Sequence, residues 1–377
     1  MSGGGTEEAA MTREEMLALL ADMAALTALA ADAPTLADMP RRTLADKRID
    51  GPTSAHVIEE VHTPLNLAYL TFTTGSSSFQ NIVGITHAEL PERVAAGELA
   101  LSAAGARQGE EMLVCYPPLI NVFTPQALAK LGVQPRFLPR SSRDAFLVEL
   151  CQRQLRLVVG ESSFLRAALQ EALRLGIRSL LPREMVLVAC GTPLDPALPE
   201  LAQSLGATLH DLYGCQEFGW LTLDGVPLRE DICLLPEAQQ QDWQQLVVGG
   251  LPTGDSFPRL ASGHMLNPAG PVITYARRRS QPEYELIIHA CTAHSAVTAA
   301  RTARSILRIK GRVVRVAPNV QTAALENVLE LRPAWPDEGV GLILRGERQT
   351  RLFQRMLEAQ QQYQSQAKND PLWLKQE

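Results

Sequence analysis

The sequence predicts an α/β protein in which a mainly parallel sheet is followed by a mixed β region. Short apolar runs alternate with helical patterns in the first half of the chain, and this alternation is typical of parallel strands joined by crossover helices. Beyond residue 220 the chain is richer in Pro and Gly and carries several short β runs. Its 377 residues, 46% of them hydrophobic, are enough for about two domains.

Helix and strand signals follow one another along the chain. Thr12 and Glu15 have the spacing of a capping box, which predicts a helix start at Thr12. Periodic apolar residues predict further helices over 86–101, 143–155, 164–175, 196–205 and 349–362. Short apolar runs predict strands over 65–72, 112–116, 155–159, 185–190, 208–212, 245–248, 271–275 and 284–290. Residues 359–370 are Gln-rich and predict a solvated helix end or a disordered tail.

Composition and charge exclude several functional classes. The chain has 35 Lys and Arg against 41 Asp and Glu, for a net charge of −6, so nothing global points to a nucleic-acid partner. The sequence contains no apolar run of about 18 residues or more, so we expect no membrane-spanning helix, and no secretory signal pattern is present. The six cysteines form no CxxC pair, so we expect free thiols, no zinc site and a cytoplasmic location.

Hydroxyl-bearing residues and a glycine lie between a predicted strand and a predicted helix. In such a position, backbone N–H groups can approach an anion closely, and the hydroxyls add donors. The stretch therefore predicts a phosphate-binding loop, with an ordinary Ser/Thr turn as the alternative. Its candidate residues are Thr73, Thr74, Gly75, Ser76, Ser77 and Ser78.

Residues 72–87, FTTGSSSFQNIVGITH, resemble the phosphate-binding motif FTSGTTGxPKGVxxTH of adenylate-forming enzymes. The lysine of that motif is replaced by Asn81, and its second glycine is replaced by Ser78. The resemblance implies the fold of this superfamily. We expect a large N-terminal domain of stacked sheets flanked by helices over 1–309, and a small, shortened α+β C-terminal domain over 310–377.

Two further segments resemble motifs of the same superfamily, in the same order. Residues 190–196 resemble GGEPLSP, and residues 213–217 resemble YGxTE. The resemblance implies that the tyrosine stacks on adenine, the first turn packs on its other face, the polar residue contacts the α-phosphate, and the glutamate holds Mg²⁺. The alternative is a turn with a core tyrosine and a surface glutamate. The residues concerned are Cys190, Gly191, Thr192, Tyr213, Gly214, Gln216 and Glu217.

Later segments narrow the resemblance to one subgroup. Residues 229–237 resemble the WEDxFLPE segment of phenylacetate–CoA ligases. Residues 309–312 resemble the IxGR hinge, which implies that Arg312 reaches the nucleotide. Thr253, Gly254 and Asp255 resemble the ribose-binding TGD, so Asp255 is either the ribose ligand or a turn residue.

The resemblance implies ATP-dependent activation of a carboxylic acid as its acyl-adenylate, with ATP and Mg²⁺ as cofactors. A chain this compact also resembles the adenylate-forming enzymes of phenazine antibiotic biosynthesis on the griseoluteic acid pathway, which implies an aromatic, phenazine-type acid. The acyl acceptor would be coenzyme A or a carrier protein, or a partner reductase would act on the activated acid, and a homodimer is a further expectation. The candidate walls of the acid pocket are Tyr116, Phe123, Phe218 and Trp220.

Several departures from the motifs favour a rival interpretation, a nucleotide- or acyl-binding scaffold without adenylation activity. Asn81 carries no charge, Val313 and Val314 replace the hinge acids, and the C-terminal lysine motif is missing. An acyl-cysteine mechanism is a weaker alternative. It needs a reactive thiol near the C-terminus, and the last cysteine is Cys291. The basic stretch 301–315 predicts either an anion-binding patch, for a triphosphate or a carrier-protein arm, or a solvated strand face.

Overall fold

The computed structural model describes most of the chain at the level of individual residues. The described residues are 11–29, 67–72, 82–115, 122–138, 142–236, 243–258, 278–279, 284–310, 313–333 and 341–367. The chain divides into two compact units. The first comprises residues 1–49, 104–120 and 128–210, and the second comprises residues 50–103, 121–127 and 211–377.

The helices and strands are numbered in chain order. The helices of the described residues are α1 (Arg13–Leu29), α2 (Leu90–Ala103), α3 (Pro125–Leu131), α4 (Arg143–Arg153), α5 (Ser162–Arg174), α6 (Leu198–Leu205), α7 (Ala296–Lys310), α8 (Gly346–Gln349) and α9 (Arg351–Ala367). The strands are β1 (Leu67–Phe72), β2 (Ile82–Thr86), β3 (Glu111–Val114), β4 (Gln134–Phe137), β5 (Leu157–Gly160), β6 (Val186–Cys190), β7 (Thr208–Cys215), β8 (Gly219–Leu223), β9 (Val226–Pro227), β10 (Ile232–Pro236), β11 (Trp243–Val248), β12 (Leu251–Pro258), β13 (Arg278–Arg279), β14 (Tyr284–Ala290), β15 (Val313–Gln321), β16 (Val328–Pro333) and β17 (Leu342–Arg345).

The first unit is built on parallel strands in the order β4-β3-β5-β6. Every residue of β5 and β6 is buried, which explains why the sequences of these strands are continuous apolar runs. The backbone N–H of Thr208, where β7 begins, donates to the carbonyl of Met185 at 2.8 Å. Helix α4 packs against α1 and α5, and α5 packs against α6, as expected for a parallel sheet whose crossovers are helical.

The second unit contains several smaller sheets. β1 pairs antiparallel with β2, and β8 pairs antiparallel with β9 and with the end of β7. One four-stranded sheet has the antiparallel order β10-β11-β12-β13, and another has the order β15-β14-β16-β17, in which β14 and β15 are parallel and are joined by α7. The core of the unit packs β7, β11, β12, β14 and β16 against α7 and α9, and it includes Tyr213, Leu286, Ile288, Phe353 and Met356.

The α/β class with sheets flanked by helices is confirmed, and most element bounds agree within a few residues. The backbone N–H and the hydroxyl of Thr12 donate to Glu15 Oε2 at 2.7 and 2.9 Å, as the capping-box spacing predicted. The strand predicted over 271–275 lies outside the described residues. The domain boundary at 309/310 stays a prediction. In the described part of the chain, none of the helices has the length and apolar character needed to cross a membrane.

One expectation was wrong, and another holds in part. Residues 301–310 belong to helix α7 and not to a strand face. The helix buries Ala299 and Ala303, four residues apart, against the core, and this spacing is helical. The Gln-rich stretch forms the end of helix α9, which runs to Ala367; Gln361, Gln362 and Ser365 are exposed, as a solvated helix end predicts, while Gln360 is completely buried.

A capping box between Thr86 and Glu89 is buried, whereas that between Thr12 and Glu15 is exposed. Thr86 Oγ1 and its backbone N–H each donate to Glu89 Oε2 at 2.9 Å, and Thr86 and Glu89 are 0% and 3% exposed. We predict that Thr86→Val lowers the free energy of unfolding by about 1–3 kcal/mol, because the buried carboxylate loses a donor. Urea unfolding checks this, with Thr12→Val as the exposed control of the same geometry. Equal losses in the two variants would contradict the prediction.

Candidate active site

Tyr213 and Asp255, taken from two different motifs, meet in the second unit. Tyr213 Oη donates to Asp255 Oδ2 at 2.7 Å, across a sequence separation of 42 residues. The tyrosine is only 2% exposed, and its ring meets Phe257 edge-on with the ring centroids 4.9 Å apart. The protein therefore covers this ring in the structure, and its hydroxyl holds a carboxylate on β12.

Asp255 lies within strand β12 and not in a turn, so the turn alternative was wrong. Its backbone N–H donates to Thr253 Oγ1 at 3.2 Å. Its side chain is partly exposed, and within the described ranges Oδ1 accepts no hydrogen bond. A carboxylate with one fixed oxygen and one available oxygen is suited to accept a bond from a ligand hydroxyl.

Gln216 and Glu217 lie on the tight connection between β7 and β8, with Phe218. The carbonyls of Gln216 and Glu217 accept bonds from Arg93 Nη2 at 2.9 and 2.5 Å. Glu217 is only 2% exposed, so the expectation of a surface glutamate was wrong. Because this connection folds back against α2, the side chain is removed from solvent.

Gly214 is required by the close approach of β7 to β8. A Cβ atom at this position would lie 2.5 Å from the carbonyl oxygen of Gly219 and 2.7 Å from the Trp220 ring. Any larger residue would push the hairpin apart. The glycine of the motif is therefore explained by backbone packing in this hairpin.

The turn at Cys190, Gly191 and Thr192 lies at the end of β6, in the first unit. Cys190 is completely buried, and its Sγ donates to the carbonyl of Gly160 at 3.8 Å. Gly191 is exposed. Thr192 Oγ1 is a buried oxygen with no hydrogen-bond partner among the described residues. A buried polar atom of this kind is suited to pair with a bound ligand.

The predicted pocket walls are core side chains. Phe123, Phe218 and Trp220 are each at most 1% exposed, and the ring centroids of Phe123 and Trp220 are 4.7 Å apart. None of the three presents a ring face to solvent, and their role as walls of an acid pocket stays a prediction. The remaining candidates lie outside the described residues: Thr73, Thr74, Gly75, Ser76, Ser77, Ser78, Asn81, Tyr116 and Arg312.

Burial suppresses the reactivity of several thiols. All six cysteines are free, as predicted. Burial raises the pKa of Cys115 far above its ordinary value and raises the pKa of Cys151 to about 12 and that of Cys233 to about 11. Burial also raises the pKa of Cys291. At neutral pH these four thiols stay protonated, which argues against their use as acyl-accepting nucleophiles.

A cavity of about 250 Å³ opens in the second unit beside α8 and the start of α9. Its lining includes Asn327, Thr350, Arg351, Gln354 and Arg355. None of the described residues that were predicted from sequence lines it. Among the described residues, no group of three or more His, Cys, Asp or Glu side chains is arranged to hold a metal ion.

One curated relative decides the family. The protein named ACP-SH:acetate ligase from Malonomonas rubra is 50% identical over 347 residues, which cover 91% of this chain and 95% of the relative. The chain belongs to the ACP-SH:acetate ligase family. A family model described as the MadH C-terminal domain matches residues 224–364. In this chain, the matched region begins just after strand β8 and runs through most of helix α9.

Solved structures are more distantly similar to this member of the ligase family. An acyl-CoA synthetase from Brucella canis is 14% identical, with a TM-score of 0.44 over 78% of this chain and 65% of that chain. The O-succinylbenzoate coenzyme A synthetase of Bacillus subtilis in complex with AMP is 15% identical, with a TM-score of 0.39 over 53% of this chain and 48% of that chain. The chain thus spans about half to two thirds of their length. At these TM-scores the likeness carries no argument about fold or activity.

Sequence patterns missed the two arginines that hold the β7–β8 connection. Arg93 donates to the carbonyls of Gln216 and Glu217, and Arg229 Nη1 donates to the carbonyl of Phe218 at 2.7 Å. Arg229 lies in the segment that resembles WEDxFLPE, where it replaces the tryptophan. Arg93 lies on α2 in a segment without any recognisable motif.

We expect the Tyr213–Asp255 hydrogen bond to contribute to stability. We predict that Tyr213→Phe lowers the free energy of unfolding by about 1–2 kcal/mol, because a bond to a partly buried carboxylate is lost. Asp255→Asn provides the second arm of a double-mutant cycle, measured by urea unfolding. We expect a coupling of about 1 kcal/mol between the two positions. Strictly additive losses would show that the hydroxyl and the carboxylate do not interact in solution.

Proposed function

We propose that this chain is an ATP-dependent ligase that activates a small carboxylic acid and transfers it to the thiol of an acyl carrier protein. The observation that carries the proposal is the 50% identity to a protein named ACP-SH:acetate ligase over 91% of this chain. The order of the three motifs that resemble those of adenylate-forming enzymes supports the adenylate route. A carrier-protein acceptor and a small acid replace the earlier expectations of CoA and a phenazine-type acid in this proposal, whereas a reductase partner, a homodimer and a cytoplasmic location remain predictions.

The reaction proceeds in two balanced steps. A carboxylate oxygen of the acid attacks the α-phosphorus of ATP, and pyrophosphate leaves with the electrons of the broken P–O bond. The thiol sulfur of the carrier protein then attacks the acyl carbon, its proton passes to solvent, and AMP leaves. Neither step needs a covalent bond to the ligase, so catalysis consists of positioning the reactants and stabilising charge.

The contacts of Tyr213 and Asp255 support a ribose-binding role for Asp255. Tyr213 fixes Oδ2 at 2.7 Å, and Oδ1, which accepts no bond from the described residues, would accept a hydroxyl of the nucleotide sugar. Because the tyrosine ring is covered by protein, we assign Tyr213 to orienting this carboxylate. The contact of the Thr192 turn with the nucleotide stays a prediction.

The side chains present fit a Mg²⁺ ion that is shared with nucleotide phosphates. Mg²⁺ in such sites takes one or two carboxylates, while phosphates and waters complete its coordination. Glu217, a buried carboxylate on the connection that carries the proposed phosphate contact, would supply the protein's carboxylate in such a donor set. Glu217 would hold the ion, which supplies positive charge to the phosphates when it is bound.

The packing around the β7–β8 hairpin favours a small acid over a fused aromatic ring. Of the aromatic side chains expected to line such a pocket, Phe123 and Trp220 are in contact with each other, and Phe218 is also buried. Opening this cluster would expose large apolar surfaces, at about 25 cal/mol for each Å². A substrate as small as acetate requires no such rearrangement.

Pyrophosphate release with a series of acids tests the proposal. We predict that acetate supports ATP-dependent pyrophosphate release and that thioester formation requires a carrier protein with a free thiol. Benzoate and phenazine-1-carboxylate should support little release. Release with the aromatic acids alone would restore the aromatic prediction. No release with any acid, under conditions in which the chain is folded, would favour the scaffold.

Glu217→Gln tests whether the Glu217 carboxylate holds Mg²⁺ or only contributes to the packing of the hairpin. We predict that pyrophosphate release falls by at least about 100-fold, because a charge-stabilising contact is lost. Burial of the side chain means that the variant will also lose some stability, so activity must be assayed well below its melting temperature. Glu230→Gln, at an exposed carboxylate outside the β7–β8 connection, serves as the comparison variant and should keep wild-type release. Unchanged release by Glu217→Gln would remove Glu217 from the metal site.

A further inference from the structure

Three consecutive carbonyls of the β7–β8 connection are held by two buried guanidinium groups. Arg93 Nη2 donates to the carbonyls of Gln216 and Glu217 at 2.9 and 2.5 Å. Arg229 Nη1 donates to the carbonyl of Phe218 at 2.7 Å. The connection that carries the proposed phosphate and metal contacts is therefore fixed through its backbone.

Arg93 is committed to this connection. It is 2% exposed, and among the described residues its guanidinium pairs with no carboxylate. Gly219 makes room for it, since a Cβ atom there would lie 3.3 Å from Arg93 Cγ and the residue has φ of +80°. Burying a cation costs several kcal/mol unless hydrogen bonds compensate, so the two carbonyl contacts offset the cost of burying Arg93 and hold its guanidinium against the connection.

Arg229 is anchored on its other side before it reaches the connection. Its Nε and Nη2 make a bidentate pair with Asp231 at 2.8 and 2.7 Å, and Nη2 also donates to Glu92 Oε2 at 3.3 Å. The arginine and Asp231 side chains are 5% and 1% exposed. A forked guanidinium held by a carboxylate in this way has little freedom, so the nitrogen that meets Phe218 is fixed in direction.

Both guanidinium groups are connected to the first turn of helix α2. Glu92 supports Arg229, while its neighbour Arg93 contacts the connection directly. Glu92 Oε1 also lies 3.7 Å from Arg351 Nε and 3.9 Å from Arg355 Nε, both on α9. The backbone of Phe218 is thus linked through Arg229 and Glu92 to the C-terminal helix.

We propose that Arg93 and Arg229 are positioning residues, which hold the Gln216–Phe218 backbone so that the Gln216 and Glu217 side chains meet the nucleotide in one geometry. This inference rests on the proposed function for its catalytic consequence. Its structural content, an immobilised connection, does not depend on which acid or acceptor is used.

Arg93→Gln and Arg229→Gln test the proposal, with Arg156→Gln as the matched control. Arg156 is also largely buried and paired, to Glu110 at 2.7 Å, and it also donates to a backbone carbonyl, that of Gly105, but it belongs to the first unit. We expect kcat for pyrophosphate release to fall on the order of 100-fold in the two test variants, because misplaced groups lose the near-attack geometry. KM for the acid should change far less, and the control should lose stability without losing kcat.

Hydrogen exchange gives a readout that does not depend on activity. Amides of residues 213–220 should exchange faster in Arg93→Gln and Arg229→Gln than in the wild type, while those of β5 and β6 stay unchanged. Arg93→Lys, which keeps the charge and most of the stem, provides a second variant if Arg93→Gln does not fold. It should show intermediate exchange and partly restored kcat, since an ammonium group lacks the fork.

The outcomes separate the two proposals. A wild type without acid-dependent pyrophosphate release would sink the proposed function, and faster exchange in the test variants would still uphold the immobilised connection. Unchanged exchange in both test variants overturns the inference. Wild-type kcat in both of them also overturns it, even if they are less stable.

Discussion

The contact between the Arg93 guanidinium and the backbone after β7 is the constraint on which the candidate site depends. It joins the first turn of α2 to carbonyls 123 and 124 residues further along the chain. A buried cation must find hydrogen-bond acceptors, so α2 and the β7–β8 hairpin cannot be repacked independently. Gly214 and Gly219 follow from the same constraint, since each clears space for the hairpin or for the arginine. The bond from Tyr213 to Asp255 then ties the end of β7 to β12.

Periodicity and turn chemistry predicted much of the fold. The buried strands β5 and β6 and the capped start of α1 follow from local pattern, because burial on both faces and a capping box each leave a signature within a few residues. Helix α7 was missed because its arginines and β-branched residues obscure a narrow stripe of small apolar residues. The pairing of β14 with β15 across that helix could not be read from local sequence.

The sequence indicated candidate residues of the site but not their contacts or their burial. Resemblance to known motifs singled out Tyr213, Glu217 and Asp255, but not the burial of Glu217 or the contact between Tyr213 and Asp255. Arg93 left no signal, since its partners are backbone carbonyls, which every residue has. The burial of the aromatic residues near the hairpin could not be predicted either, because a sequence does not reveal whether an aromatic ring faces a ligand or another ring.

The position of Glu92 between two helices has a consequence for how the chain can be shortened or extended at its C-terminal end. Burial raises the pKa of Glu92, while the charges of Arg229, Arg351 and Arg355 pull it back down. Cutting the chain before Arg351 would remove two of the cations that offset the burial of Glu92. A substitution or truncation in α9 would thus change the charges around Glu92, which contacts the Arg229 that holds the β7–β8 connection. Helix α9 therefore contributes, through Arg351 and Arg355, to the charges around Glu92 and hence around the Arg229 that contacts the hairpin.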